Sequence, residues 1–308
     1  MKQSVSLRDS AFRLRARAAA GLVTIFRPTV RFFLRHWIRH DELVRVRQQI
    51  RYLSYAELLR RNDLPSDLSL YELSIFSQNG EDGVLWEILS RLGIHAGFFV
   101  EIGASPNESN CLLLADLLGW HGVFLDASAR ETGELARKYA ASPHIIVVNS
   151  FVTPDNLEGS LQSANVPLEF DVLSIDVDGN DYWLWRALKK YRPKVVVIEY
   201  NSALGPDPKL VQPYSATVQP SSSVNFGASV TAMEALGSLK GYRLVHVDTT
   251  GTNLFFVQDA DSYALRPHNG RLIRHRVPNY YLYGLRHRGM LDPSFFLQNP
   301  ERPSPSDR

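Results

Sequence analysis

From residue 69 onward, short apolar runs alternate with stretches of mixed polarity. GFFVEIG (97–103), GVFLDAS (122–128), HIIVVNSFV (144–152), FDVLSID (170–176) and PKVVVIEYN (193–201) are rich in β-branched and aromatic residues. Each is bounded by Gly, Asn, Asp or Ser, so each reads as a buried strand. Between them lie helical stretches. One follows the first strand, with Asn107 or Ser109 as its cap and Gly119 at its end; others span 130–141 and 181–191, the last closing on a basic turn that suits the helix dipole. Strand and helix alternating at this spacing predict a mostly parallel sheet covered on both faces.

The end of the pattern changes the picture. YRLVHVD (242–248), the tight TTGTN segment and LFFVQ (254–258) read as a hairpin, so the last strand should run antiparallel. A dinucleotide-binding Rossmann sheet is parallel throughout. An open α/β sheet closed by an antiparallel hairpin resembles the class I S-adenosylmethionine-dependent methyltransferases. Residues 202–229 hold four prolines and several serines. They leave the carboxyl edge of the sheet, where open α/β folds bind ligands, and are expected to form a substrate-side lid.

Charge divides the chain into parts. Residues 1–62 carry fourteen Lys/Arg against four Asp/Glu, and the remainder twenty against twenty-eight. The predicted organisation is a basic amphipathic helical extension (1–68), a class I methyltransferase-like domain (69–260), and a C-terminal extension (261–308) ending in a disordered tail. The longest charge-free apolar stretch of the arm, residues 18–26, is nine residues, short of the ~20 needed to span a bilayer. Three readings stay open for it: a helix packed on the body, a peripheral contact with an anionic membrane, or a protein-docking arm. No nucleic-acid recognition motif accompanies the arginines. Cys111, the single cysteine, excludes an internal disulfide and precedes three leucines, as a core residue does. A cytoplasmic protein, peripheral at most on the inner membrane face, is the expectation.

Candidate chemistry gathers at strand ends. The first turn, EIGASPNESN (101–110), fails the G-x-G-x-x-G fingerprint, because Ser105 and Glu108 stand where the second and third glycines belong. A ligand held by its pyrophosphate is therefore not expected. S-adenosylmethionine has none, and needs a carboxylate near its amine and hydrogen bonds to its ribose. Glu101 is placed for the first task and Asp126, at the end of the second strand, for the second. SQNGED (77–82) either starts a helix over 80–91 or brings Gln78 and Asn79 to the cofactor pocket.

FSQNGEDGVLWEIL (76–89), FFVEIGASPNESN, GWHGVFLDAS, LSIDVDGNDYWLWRAL, VVVIEYN and FGAS…LGSLKGYRLV together resemble the FkbM-type methyltransferases, in a branch with SQNGED and DGNDYW signatures. The resemblance covers residues 70–260. It implies S-adenosylmethionine as donor and O-methylation of a small-molecule or glycan hydroxyl, on a sugar or secondary metabolite. The cofactor-binding set it implies is Gln78, Glu101, Gly103, Ala104, Asn110, Asp126 and Asp176. Asp178, Gly179 and Glu199 carry over at the ends of strands four and five. The single glycine of the first turn departs from the usual pattern, with Ala104 and Ser105 small enough to stand in. A binding or scaffolding protein that has lost turnover is the alternative.

DVDGND (176–181) admits four explanations. An EF-hand loop fails, since the glycine is at position four and Ala187 occupies position twelve. A sugar-nucleotide Asp-x-Asp fits only locally. A solvated turn accounts for Asp181 in the first helical turn, but poorly for Asp176 in an apolar strand. An active-site rim accounts for all three, with Asp178 the first candidate for general base, Glu199 the second, and Asp176 orienting the methionine end or the acceptor. No dedicated metal set is predicted, although clustered acids could take Mg²⁺.

Overall fold

The computed structural model describes residues 67–217, 224–265, 275–276, 291–298 and 300, all within Glu57–Arg308. The predicted basic arm below residue 67 and the predicted disordered tail lie outside the described residues.

Five strands follow one another in parallel: β1 (Phe98–Ile102), β2 (His121–Asp126), β3 (Ile145–Asn149), β4 (Glu169–Ile175) and β5 (Arg192–Glu199). Two-residue β6 (Leu210–Val211) pairs with β9 (Leu297–Gln298) outside the main sheet. The hairpin strands β7 (Tyr242–Val247) and β8 (Asn253–Gln258) complete a seven-stranded sheet in the order β3-β2-β1-β4-β5-β8-β7. β8 inserts between β5 and β7 and runs antiparallel to both. This is the expected class I methyltransferase fold: a Rossmann-like parallel sheet whose strand order reverses between β1 and β4 and whose far edge is closed by an antiparallel hairpin.

Alternation along the strands builds two cores. Val100, Ile102, Leu173, Ile175, Val196 and Ile198 face one layer, under α4 (Leu157–Ser163), α5 (Asp181–Ala187) and α6 (Val230–Leu239). Phe99, Val172, Val195 and Val197 face the other, under α1 (Glu81–Arg91), α2 (Leu112–Asp116) and α3 (Ala129–Lys138). Glu101, Ser174 and Glu199 fall on the parity of the second set, so every polar residue at these strand ends points toward the α1–α2 layer. Cys111 is buried there as expected. Of the aromatic trio on α5, Tyr182 and Trp185 are buried and Trp183 is half-buried.

Helix ends differ from expectation. α3 covers Ala129–Lys138 where 130–141 was expected, with Ser128 accepting from the Glu131 amide, and α5 ends at Ala187 rather than at residue 191. Neither Asn107 nor Ser109 caps α2: it begins at Leu112, and the free amides of Asn110 and Cys111 donate instead to the Glu101 carboxylate at 2.8 and 3.0 Å. Helix α4 went unpredicted, being a short piece with only Leu157 and Leu161 buried. Among the described residues no helix is long and apolar enough to cross a membrane.

Gly103 is where β1 meets β4. Its φ is +91°, and a Cβ built there would lie 1.7 Å from the carbonyl oxygen of Asp176. Gly119 also has a positive φ, +64°, but nothing lies within 4 Å of its missing Cβ. Gly103→Ala should therefore destabilise the protein by more than about 2 kcal/mol, strain and backbone overlap adding, while Gly119→Ala costs about 1 kcal/mol. Urea midpoints of the two variants check the order; equal losses would contradict the close approach.

A carboxylate-rich candidate active site

The first turn is held from within. The Gly103 and Ala104 amides both donate to the Leu125 carbonyl, at 2.9 and 3.2 Å, which ties the turn to β2. Both Glu101 oxygens are taken by the start of α2, so this residue shapes the turn from a position 2 % exposed rather than reaching out of it. Burial, opposed by those two amides, lifts its carboxyl to about 7. Asn110 donates its side-chain amide to Ser174 Oγ at 3.1 Å, joining the turn to β4. Ala104 is buried. Gln78 lies across the turn, donating to Glu108 at 2.6 Å.

Asp126 ends β2 half-buried. One oxygen accepts from the Ser128 amide at 2.6 Å, and the other accepts nothing among the described residues. Burial raises its pKa, with further contributions from the negative charges of Glu131 and Asp178.

The DVDGND turn owes its shape to Asp181. Rather than a solvated capping acid, it is a buried staple: its carboxylate accepts from Val177 N at 3.0 Å and Gly179 N at 2.9 Å. Between these amides the chain passes through two positive φ values, +54° at Asp178 and +128° at Gly179. Asp178 is thereby turned outward and exposed. Gly179 has no room for a Cβ, which would fall 2.6 Å from the Gln212 amide.

The described parts of the expected lid (202–217 and 224–229) are fastened to this turn. Asn180 donates to the Ser215 carbonyl at 2.7 Å and accepts from Ser215 N at 3.2 Å. Trp183 donates its indole N–H to the Gln212 carbonyl at 2.9 Å. Gln212 in turn accepts from Gly227 N at 2.9 Å, and Asn201 holds the carbonyls of Val224 and Phe226.

SQNGED starts α1 and also braces the edge. Gly80, at φ +99°, is the N-cap. Asp82 accepts the amides of Ile75, Phe76 and Ser77 at 2.6–2.9 Å and returns its own amide to Ser77 Oγ. Glu81 accepts from Asn79 and, at 2.7 Å, from Asn253 at the start of β8. Asn79 is thus committed to Glu81. Asp248 closes the hairpin through Thr250 Oγ1, Thr252 N and Asn253 N. Sequence reasoning also passed over His246, which lies 3.0 Å from Glu72 where a bulge interrupts β7. Its only signal was a polar residue inside an apolar strand.

The edge is therefore crowded with buried acids. Burial lifts Asp82 to about 6, and Asp181 and Asp248 to about 7; it raises Asp176 and Glu199 well above their ordinary values, with neighbouring carboxylates adding to both. Two classes separate by hydrogen bonding. Glu81, Asp82, Glu101, Asp181 and Asp248 each accept from backbone or side-chain N–H groups. Asp176, Asp178 and Glu199 accept none among the described residues, although one oxygen of each lies within 4.8 Å of the others. Glu199 Oε2 is fully buried without a partner. Such a group can take a proton, attract a cationic ligand or bind a metal ion. A separate cavity of about 210 Å³, lined by Trp185, Lys189, Arg192 and Lys240 among others, opens at the opposite edge, where β5 and β7 begin. It takes no part in this arrangement.

No family model matches the chain, and no curated protein does. Solved structures do. The N-terminal domain of EvdMO1 with SAH bound is 13% identical, over 60% of this chain and 82% of that one, with a TM-score of 0.40. The METTL16 MTase domain is 16% identical, over 39% of this chain, with a TM-score of 0.31; the match spans 51% of that domain's length. A SAM dependent methyltransferase from Aquifex aeolicus is 12% identical, over 56% and 86%, with a TM-score of 0.33. At such scores the strand order and the geometry above carry the argument by themselves.

The acids have a measurable consequence. The folded pKa values of Asp82, Glu101, Asp176, Asp181, Glu199 and Asp248 exceed the ~4 of the unfolded chain, so between pH ~4 and ~7 the folded state binds more protons and stability falls as pH rises. For the ligand-free protein, the unfolding free energy should drop by at least about 2 kcal/mol between pH 5 and pH 8. Thermal or urea unfolding across that range tests it; stability rising with pH would be the contrary result.

Proposed function

We propose that the protein transfers a methyl group from S-adenosylmethionine to a hydroxyl oxygen of a sugar or secondary-metabolite acceptor. The observation that carries this reading is the set of partnerless carboxylates at the carboxyl edge, beside the strand-order reversal. Asp126, with one free oxygen, lies at the end of β2, and Asp176, Asp178 and Glu199 lie at the ends of β4 and β5. That edge suits a ligand with two ribose hydroxyls and two positive centres and no pyrophosphate. The FkbM-type motifs support a hydroxyl acceptor.

Bound there, S-adenosylmethionine supplies a methyl carbon to the acceptor oxygen, the carbon–sulfur bond breaking with its electron pair left on sulfur. Asp126 accepts from the ribose hydroxyls. Asp176, at the close contact with Gly103, faces the methionine end. Asp178, exposed and held outward by the Asp181 staple, receives the acceptor's proton, and Glu199 stands behind it as a second acceptor of protons. Positioning provides most of the acceleration in such an in-line displacement.

Calorimetric titration of the full chain with S-adenosylhomocysteine should give micromolar binding, weakened about 10–100-fold in Asp126→Ala, as expected for hydrogen bonds to a charged group. Asp178→Asn should keep that binding and lose about 10²–10⁴-fold in turnover on an accepted hydroxyl substrate. No heat from folded protein would refute the donor. Binding without turnover on any hydroxyl acceptor would instead favour the scaffolding alternative.

A further inference from the structure

We propose that Asp176, Asp178 and Glu199 form a binding site for a hard divalent cation of the Mg²⁺ or Mn²⁺ type, through which the acceptor's hydroxyl is presented. The ion site stands on its own observations. The identity of the acceptor rests on the methyl-transfer reading.

At this edge Asp82, Glu101, Asp181 and Asp248 each hold two or more N–H or O–H donors, and Glu81 is shared between Asn79 and Asn253. Each is explained by the turn it closes. Asp176, Asp178 and Glu199 close no turn, accept no hydrogen bond and form no ion pair with Lys or Arg among the described residues. An acid that merely decorates a surface has water around it. Glu199 does not: the residue is 8 % exposed and its Oε2 is buried with no partner. A buried charged acceptor left unsatisfied costs more than the ~1–3 kcal/mol of a neutral one. A proton or a bound cation offsets it, and the convergence of two further partnerless carboxylates on the same point favours a cation that all three share.

The donor set selects the ion. All three ligand atoms are carboxylate oxygens, and the cluster contains no histidine or cysteine, which favours Mg²⁺, Mn²⁺ or Ca²⁺ over Zn²⁺. Oxygens sharing an ion at ~2.1 Å can be at most about 4.2 Å apart. Neighbouring oxygens on an octahedral ion sit about 3 Å apart, so the observed limit of 4.8 Å calls for the carboxylates to close on the ion, which exposed Asp178 is free to do by rotation. Three protein ligands leave positions open for exogenous oxygens. An acceptor with two adjacent oxygens, a vicinal diol or a hydroxyl beside a carbonyl, fills two of them. The ion would lower the pKa of the bound hydroxyl, whose proton passes to the Asp178 oxygen not held by the ion while the hydroxyl oxygen takes the methyl group.

The test uses the full chain, stripped with chelator and titrated with Mn²⁺ alone, free Mn²⁺ being read by electron paramagnetic resonance. One site that Mg²⁺ displaces is expected. Glu199→Gln and Asp178→Asn should each weaken it at least tenfold, and exposed Asp155→Asn should leave it unchanged. Should Glu199→Gln not fold, exposed Asp178 alone decides the matter. No saturable Mn²⁺ binding, or binding indifferent to both substitutions, overturns the proposal. S-adenosylhomocysteine titrated in excess chelator keeps the two readings apart: its binding there, with no Mn²⁺ site, leaves methyl transfer standing and removes only the ion. With the ion site intact, methyl transfer should fall at least tenfold in chelator and return with Mg²⁺.

Discussion

Four backbone turns at the carboxyl edge of the sheet are closed by buried carboxylates accepting N–H groups: Asp82 under 75–77, Glu101 under 110–111, Asp181 under 177–179 and Asp248 under 252–253. Loops leaving a parallel sheet carry amides that no strand partner satisfies, and a buried amide without a partner is costly. This protein meets that need with anions rather than with water or neutral side chains. Charge-assisted bonds of this kind are short and strong, and they fix the loops that hold Gly103 against Asp176. The same choice concentrates negative charge in a region of low dielectric. Each staple raises the cost of ionising its neighbours, and Asp176 and Glu199, left without donors, bear that cost.

Strand-level structure was legible because its causes are local. Val195 to Ile198 is a continuous apolar run and Val172 to Ile175 is broken only by Ser174, as parallel strands buried on both faces require, and the TTGTN turn announced the antiparallel closure. The candidate site was legible for a related reason: Asp176 and Glu199 end those runs, and a carboxylate at such a junction has few structural excuses. Helix α4 was not, because seven residues with two buried leucines give no periodic signal.

What stayed hidden was the division of labour among the acids. Glu101 and Asp181 look, in sequence, as available as Asp176 and Asp178. Only the fold reveals that the first pair is spent on amides. The bond from Asn253 to Glu81 spans 172 residues and leaves no trace in either local pattern. Likewise the cap of α2 comes from a strand residue, Glu101, nine and ten positions before the amides it receives, where a sequence reader looks to Asn107 or Ser109.

The fastening of residues 202–217 to the DVDGND turn has a consequence for how such a site is filled. Asn180 grips Ser215 in both directions, and only Gly179 separates it from Asp178, whose outward pose depends on the same turn. A shift of that segment is therefore transmitted to the turn that carries Asp178, and the reverse. On the proposed methyl-transfer reading, admission of an acceptor and alignment of the reacting groups become a single mechanical event, and a molecule of the wrong shape that pries the segment aside also misaims the carboxylate.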